Sequence, residues 1–313
     1  MMRRFVSSLL ALLAAISCVR AQLPADAALD ALAQRAAADT LAHFRTRGLK
    51  PEQLAITLVD LRDPSRPRCG SVGGDVLIYP ASVIKLFYLA ATHRWMEDGR
   101  IADTAEVRRA MRDMIVDSSN DATHYLIDLL TGTTSGPELP DAEIKLWFEK
   151  RNAVTNYFAA LGYSGVLAHK KPWGDGPYGR ESQAIRLFEP RRNMLTTDAT
   201  ARLLTEIATG RCVSVARSAE MMALLTRDPQ VQDADPDHQA KFTGPALPPG
   251  SRLWSKAGWT SQTRHDAAYI ELPGGAKFVL VAFTTGHASE REIIRTAARS
   301  VVAGVGPGNP LKP

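Results

Sequence analysis

"YPASVIKLFYLAA", residues 79–91, places Ser82 and Lys85 three positions apart where an extended apolar stretch gives way to a helical pattern. A helix beginning at the Pro80-Ala81 junction puts Ser82 in its first turn. The free backbone N–H groups and the positive end of the helix dipole stabilise developing negative charge there. Lys85 lies on the same face about one turn along. A desolvated, neutral lysine can take the proton from a serine hydroxyl, which is a poor nucleophile until something does. The bland alternative is a capping serine and a lysine reaching to water. Ser-x-x-Lys arises about once by chance in a chain of this length, so the pair needs company to mean anything.

Two further clusters supply it. "SSN" at 118–120 sits in a tight break between two helical patterns, 104–116 and 121–131, a place that projects a hydroxyl and an amide. "KAG" at 256–258 is Lys-x-Gly on a strand pattern followed by a turn. In this order the three resemble the active-site set of the serine β-lactamases and penicillin-binding proteins: Ser-x-x-Lys, Ser-Asp-Asn and Lys-Thr-Gly. "HDAAYIEL", "TTDATARLLTEIATG" and "YFAALGY" are similar to segments of class A enzymes, so the resemblance runs over roughly residues 26–304. It implies Ser82 as the acylated nucleophile, Lys85 as its activator and Ser118 as a proton relay, with Lys256 keeping the relay electropositive. Asn120 would bind the substrate's side-chain amide. The N–H groups of Ser82 and Trp259 would form the oxyanion hole, Gly258 would admit the substrate closely, and Arg264 would bind a substrate carboxylate.

The pattern departs from the family at several points. Ser119 replaces the Asp of the second element, and Ala257 and Trp259 stand where hydroxyl or small residues are usual. "FEPRRN" (188–193) has the form of the omega loop that supplies a water-activating glutamate, which makes Glu189 the candidate and Glu181 its rival. The loop's usual continuation is missing, because Thr196-Thr197 follow almost at once.

The rest of the chain reads as an α+β fold. Residues 26–47 are a helix, 55–61 and 75–80 are extended, and the middle is helical at 143–163, 196–210 and 214–227. Residues 164–182 form a long loop. Three short strands between 252 and 285 precede a final helix at 289–304. The resemblance implies a β-lactamase/transpeptidase-like architecture: an antiparallel sheet lobe from 22–81 and 228–313, flanked by helices, and an all-helical lobe from 82–227. A site in the cleft between lobes is the natural position.

At 313 residues, 45% apolar and 23% charged, the composition is that of a globular protein with a sizeable core. Residues 1–21 carry Arg3 and Arg4, an apolar run and small residues near Ala21, and read as a secretory signal peptide. A degenerate lipidation site at Cys18 is the rival reading. Cleavage would remove Arg3, Arg4 and Arg20 and no acid, lowering the formal charge from +5 to +2. That balance gives no support to nucleic-acid binding. The expectation is a secreted or periplasmic monomer without a transmembrane span, metal or organic cofactor. It would act on a small-molecule β-lactam or a cell-wall peptide. D-alanyl-D-alanine carboxypeptidase or esterase activity on the same fold is the alternative, and a non-catalytic penicillin-binding module a third. Cys69 and Cys212 allow either a disulfide or two buried thiols.

Overall fold

The computed structural model describes residues 22–174 and 176–305, so the signal-peptide and Cys18 readings fall outside the described residues. The chain runs α1 (Ala27–His43), β1 (Leu54–Asp60), β2 (Arg68–Val72), α2 (Lys85–Glu97), α3 (Ala105–Ile115), α4 (Asn120–Thr131), α5 (Asp141–Arg151) and α6 (Ala153–Ala160). It continues with β3 (Val166–Leu167), α7 (Gly179–Leu187), β4 (Met194–Leu195), α8 (Thr197–Ala208), α9 (Val215–Leu225) and β5 (Thr226–Arg227). It ends with β6 (Arg252–Trp259), β7 (Thr263–Glu271), β8 (Lys277–Thr285) and α10 (Glu292–Val305). Among the described residues no helix is long and apolar enough to cross a membrane.

Six strands form one antiparallel sheet in the order β2-β1-β8-β7-β6-β5. Its two faces bury separate apolar clusters. On one face Leu58, Ala268, Ile270 and Leu280 pack with Leu29 and Leu32 of α1 and Ile293 and Ala297 of α10. On the other, Val59, Ala267, Val279 and Val281 meet the helical layers around Val83, Phe87, Leu126 and Leu204. Alternation along each strand decides the face, so Lys256, opposite Ala267, looks toward α2, while Ala257, opposite Asp266, looks toward α10. β5 extends the sheet with Thr226–Arg227, and α8 lies on β8, β1 and β7.

Three local expectations need correction. Residues 75–80 are not a strand. The sheet's edge is β2, inside the turn-rich stretch before them, and Ile78 makes only an isolated bridge to Leu195. The continuous helix at 143–163 breaks at Asn152 into α5 and α6. The loop at 164–182 contains β3 and the start of α7. Cys69 and Cys212 are not joined in a disulfide.

Candidate active site

Ser82 lies in a short 3-10 helix, Ala81–Ile84, that leads directly into α2. Ala81 just before it holds a left-handed backbone, φ 46°, as does Ser118, φ 56°. Such conformations are costly for residues with a Cβ and persist where the surrounding fold imposes them. Both strained residues flank the crevice. Opposite Ser82 stands Gly258: a Cβ there would lie 2.8 Å from Pro80 O, Ser82 N and Val83 N. Only glycine lets β6 pass this close to the start of the helix.

Two buried amines converge on Ser118. Lys85 Nζ donates to Ser118 O at 2.6 Å, Asn120 Oδ1 at 2.8 Å and Ser118 Oγ at 3.3 Å. Lys256 Nζ donates to Gln239 Oε1 at 2.6 Å, Ala257 O at 2.8 Å and Ser118 Oγ at 3.0 Å. Burial pushes Lys85 down to about 7. Burial, then the nearby charges of Lys85 and Arg227, push Lys256 well below the ordinary lysine range. Asp266, behind the strand, is raised by burial to about 6 although Thr243 Oγ1 donates to it at 2.7 Å. The site thus holds a hydroxyl between two amines that favour the neutral form, beside a serine whose backbone N–H meets a glycine strand.

Gln239 escaped the sequence reading. It sits on a 3-10 turn, Gln239–Lys241, and its Nε2 donates to Ile115 O at 3.0 Å and Val116 O at 2.7 Å while Oε1 accepts a hydrogen bond from Lys256 Nζ. It ties the end of α3, just before Ser118, to β6. Its only sequence signal was a glutamine inside a polar loop. Ser119, the departure from the family pattern, caps α4 by accepting from Ala122 N at 3.1 Å.

The carboxylates are placed differently. Glu189 is 71% exposed at its side chain and pairs with Arg191 at 2.7 Å. Glu181 is 2% exposed and locked to Arg151 at 2.7 Å, with Ser135 Oγ donating to it at 2.9 Å. Burial is the cause of the Lys85 shift, and no carboxylate contributes to it. Arg264 is 2% exposed, donates to Asp237 Oδ1 at 2.8 Å and lies over the Phe242 ring. Trp259 stands 37% exposed at the end of β6. Asn193, also of "FEPRRN", is a structural tie: its Oδ1 accepts from His169 N and Lys170 N, and its Nδ2 donates to Lys170 O. A separate cavity of about 610 Å³, bordered by Asp30, Asp75, Tyr163 and Asp198, contains none of the crevice residues.

The family model described as "Beta-lactamase enzyme family" matches residues 102–305. The chain belongs to that family. It is a β-lactamase-like serine hydrolase, and the match begins after Ser82 and Lys85. A search of curated proteins returned no match. Among solved structures, a β-lactamase from Sphaerobacter thermophilus is 20% identical with a TM-score of 0.64, covering 88% of this chain and 99% of that one. A β-lactamase from Xanthomonas campestris is 16% identical with a TM-score of 0.63, covering 88% and 99%. A point mutant of PBP-A, in an acyl-enzyme complex with penicillin G, is 17% identical with a TM-score of 0.62, covering 88% and 96%. At these identities the likeness is one of fold.

Proposed function

We propose that this protein is an exported serine hydrolase, acylated at Ser82, that opens β-lactams or closely related amides and esters. The observation that carries the reading is the convergence of Lys85 and Lys256 on Ser118 beside the Ser82–Gly258 contact. Neutral Lys85 takes the Ser82 proton as Oγ attacks the carbonyl carbon. The oxyanion forms against the backbone N–H groups of Ser82 and Trp259, where fixed donors contribute a few kcal/mol. The bond to the leaving nitrogen breaks, and that nitrogen receives a proton through Ser118. Asn120, already oriented by Lys85 at 2.8 Å, presents its amide N–H to the acyl side chain. Water then releases the acyl group. Support for export is the N-terminal segment 1–21.

The test is intact-mass spectrometry of the mature protein with a chromogenic cephalosporin and benzylpenicillin. An adduct on Ser82 that is absent from Ser82→Ala supports the reading, and no adduct with either compound refutes acylation of β-lactams.

A second reading, a slow-turnover penicillin-binding carboxypeptidase or esterase, is favoured by Glu189 being exposed and paired with Arg191 and by Glu181 being held in a buried ion pair with Arg151. It expects the penicillin adduct to persist for minutes or longer. Comparing the lifetime of the adduct with its rate of formation separates the two.

A further inference from the structure

The chain reaches Ser82 through a short stretch with few free torsions. Ile78 is pinned twice, its N–H donating to Leu195 O at 2.8 Å and its carbonyl accepting from Leu195 N at 2.9 Å. Pro80 follows, and its ring restricts its own φ. Ala81 then takes the left-handed backbone, φ 46°, that turns the chain into Ser82. An alanine does not choose that conformation unaided, so the surrounding fold has to impose it. Between the pin and the turn stands the Tyr79 carbonyl, and a side chain of the sheet holds it. His265 of β7 is 0% exposed, lies directly across from Gly258 and packs its ring against Phe283 with centroids 4.5 Å apart. Its Nδ1 is 3.1 Å from Thr284 N and its Nε2 is 2.9 Å from Tyr79 O. A main-chain N–H can only donate and a carbonyl can only accept. The two contacts therefore fix one tautomer, in which Nδ1 accepts and Nε2 carries the hydrogen. Burial pushes the ring down to about 4, which keeps it neutral near pH 7.

We infer that His265 is a positioning residue for acylation: by donating to the Tyr79 carbonyl it holds the Pro80-Ala81 turn in place and so aims the hydroxyl and the N–H of Ser82. The inference rests on acylation at Ser82 as proposed above, and it gives a role to a buried imidazole that the proposed mechanism does not otherwise use. One ring joins three pieces of the fold: β7 through its own backbone, β8 through Thr284, and the lead-in to the nucleophile through Tyr79. The sheet carrying Lys256 and Gly258 is thereby set against Ser82 by two opposed constraints. The His265 bond draws the lead-in toward the sheet, and main-chain contact across Gly258 limits how near it comes. Without the bond, Ala81 is free to relax toward ordinary backbone angles and to carry Ser82 N with it. A histidine that served packing alone would depend on its volume, whereas this role depends on one of its two nitrogens.

Two substitutions separate the nitrogens. In His265→Gln the amide nitrogen stands close to the place of Nε2 and can donate to Tyr79 O, but Thr284 N–H loses its acceptor. In His265→Asn the amide oxygen replaces Nδ1 as acceptor for Thr284 N–H, but nothing reaches Tyr79 O. Each leaves one buried main-chain group unpaired, so both should lower the melting temperature by similar amounts. The readout is the single-turnover rate of Ser82 acylation by benzylpenicillin and by a chromogenic cephalosporin, followed by intact mass. His265→Asn should slow it by roughly ten- to a hundredfold, the range for a displacement of up to about 1 Å, and His265→Gln should acylate at least about tenfold faster than His265→Asn. Adding Ala81→Gly to His265→Asn should recover part of the rate, because glycine adopts a positive φ without an outside hold. Equal rates in the two variants, or His265→Asn at the unaltered rate, overturn the inference while leaving Ser82 acylation intact. If neither variant folds, nitrogen NMR of the imidazole in the unaltered protein decides. A neutral ring protonated at Nε2 supports the hold on Tyr79, and an imidazolium or a ring protonated at Nδ1 overturns it. An unaltered protein that forms no adduct with either compound refutes the acylation reading, and the positioning role falls with it whatever the tautomer.

Discussion

Substituting Gly258 by alanine tests the geometry on which the crevice depends. The new Cβ would lie 2.8 Å from Pro80 O, Ser82 N and Val83 N, whereas ordinary contact begins near 3.4 Å. All three are main-chain atoms, so none can rotate away, and β6 must part from the 3-10 helix by about 0.6 Å. That displacement separates the two proposed oxyanion donors, Ser82 N–H on one side and Trp259 N–H on the other. Misplacement of about 1 Å costs on the order of a hundredfold in rate, so acylation should slow by roughly ten- to a hundredfold. Overpacking should also cost about 1–3 kcal/mol of stability, which for a chain of this size lowers Tm by several degrees. The assay is the single-turnover rate of Ser82 acylation by a chromogenic cephalosporin, with the melting temperature measured on the same samples. Gly258→Ala acylating at the unaltered rate with an unchanged Tm would refute the close approach and the oxyanion assignment with it.

Acylation should rise with pH through a midpoint near 7, because Lys85 acts only when neutral, and fall about tenfold per unit below that point. A flat profile between pH 5.5 and 8.5 would exclude Lys85 as the base. Stability should climb over the window from about 7 to 10.5, where an unfolded lysine binds a proton that folded Lys85 does not, as denaturant midpoints across that range would show. Glu189→Gln should leave adduct lifetimes within twofold of the original, since this exposed carboxylate pairs only with Arg191 among the described residues. Glu181→Ala should cost about 3–5 kcal/mol, read from urea unfolding, because it leaves the fully buried Arg151 without its closest carboxylate.

How much of this was legible in the sequence follows from how local each signal is. The start of α2, the break before α4 and the strands β6, β7 and β8 were visible because apolar periodicity and turn residues mark them over a few positions. β2 was not, because "RCGSV" has neither alternation nor length, and it is a strand only through its register with β1. α7 was hidden behind Gly- and Pro-rich residues, and its Glu181 and Gln183 face inward to Arg151 and Leu139, which inverts the usual polar-out pattern. Within the site, residues fixed by motif spacing were readable: Ser82, Lys85, Ser118, Asn120, Lys256 and Gly258. Gln239 was not, since its role exists only where the 228–250 loop returns to β6. Arg264 illustrates the same limit from the other direction: its position on β7 was readable, its partner Asp237, 27 residues away in sequence, was not.

The six short contacts of the two crevice amines share one property: every partner is an uncharged oxygen, and a neutral amine, with two N–H groups, donates to at most two of its three. Ser118 Oγ joins the amines at 3.3 and 3.0 Å, so two ammonium groups there would repel strongly and their titrations interact. Near neutral pH the pair is therefore best served by holding few protons, which leaves Lys85 free to accept one from Ser82. In the proposed acylation, accepting it would create charge beside Lys256 and drive that proton onward through Ser118 to the leaving group. Acylation thus carries its own push. Releasing the acyl group requires a proton to be taken from water, and a carboxylate that stays ionised is suited to that task. Glu189 faces solvent and Glu181 is bound to Arg151, so on the proposed mechanism the electrostatics that would favour forming the acyl-enzyme would give its hydrolysis no comparable help.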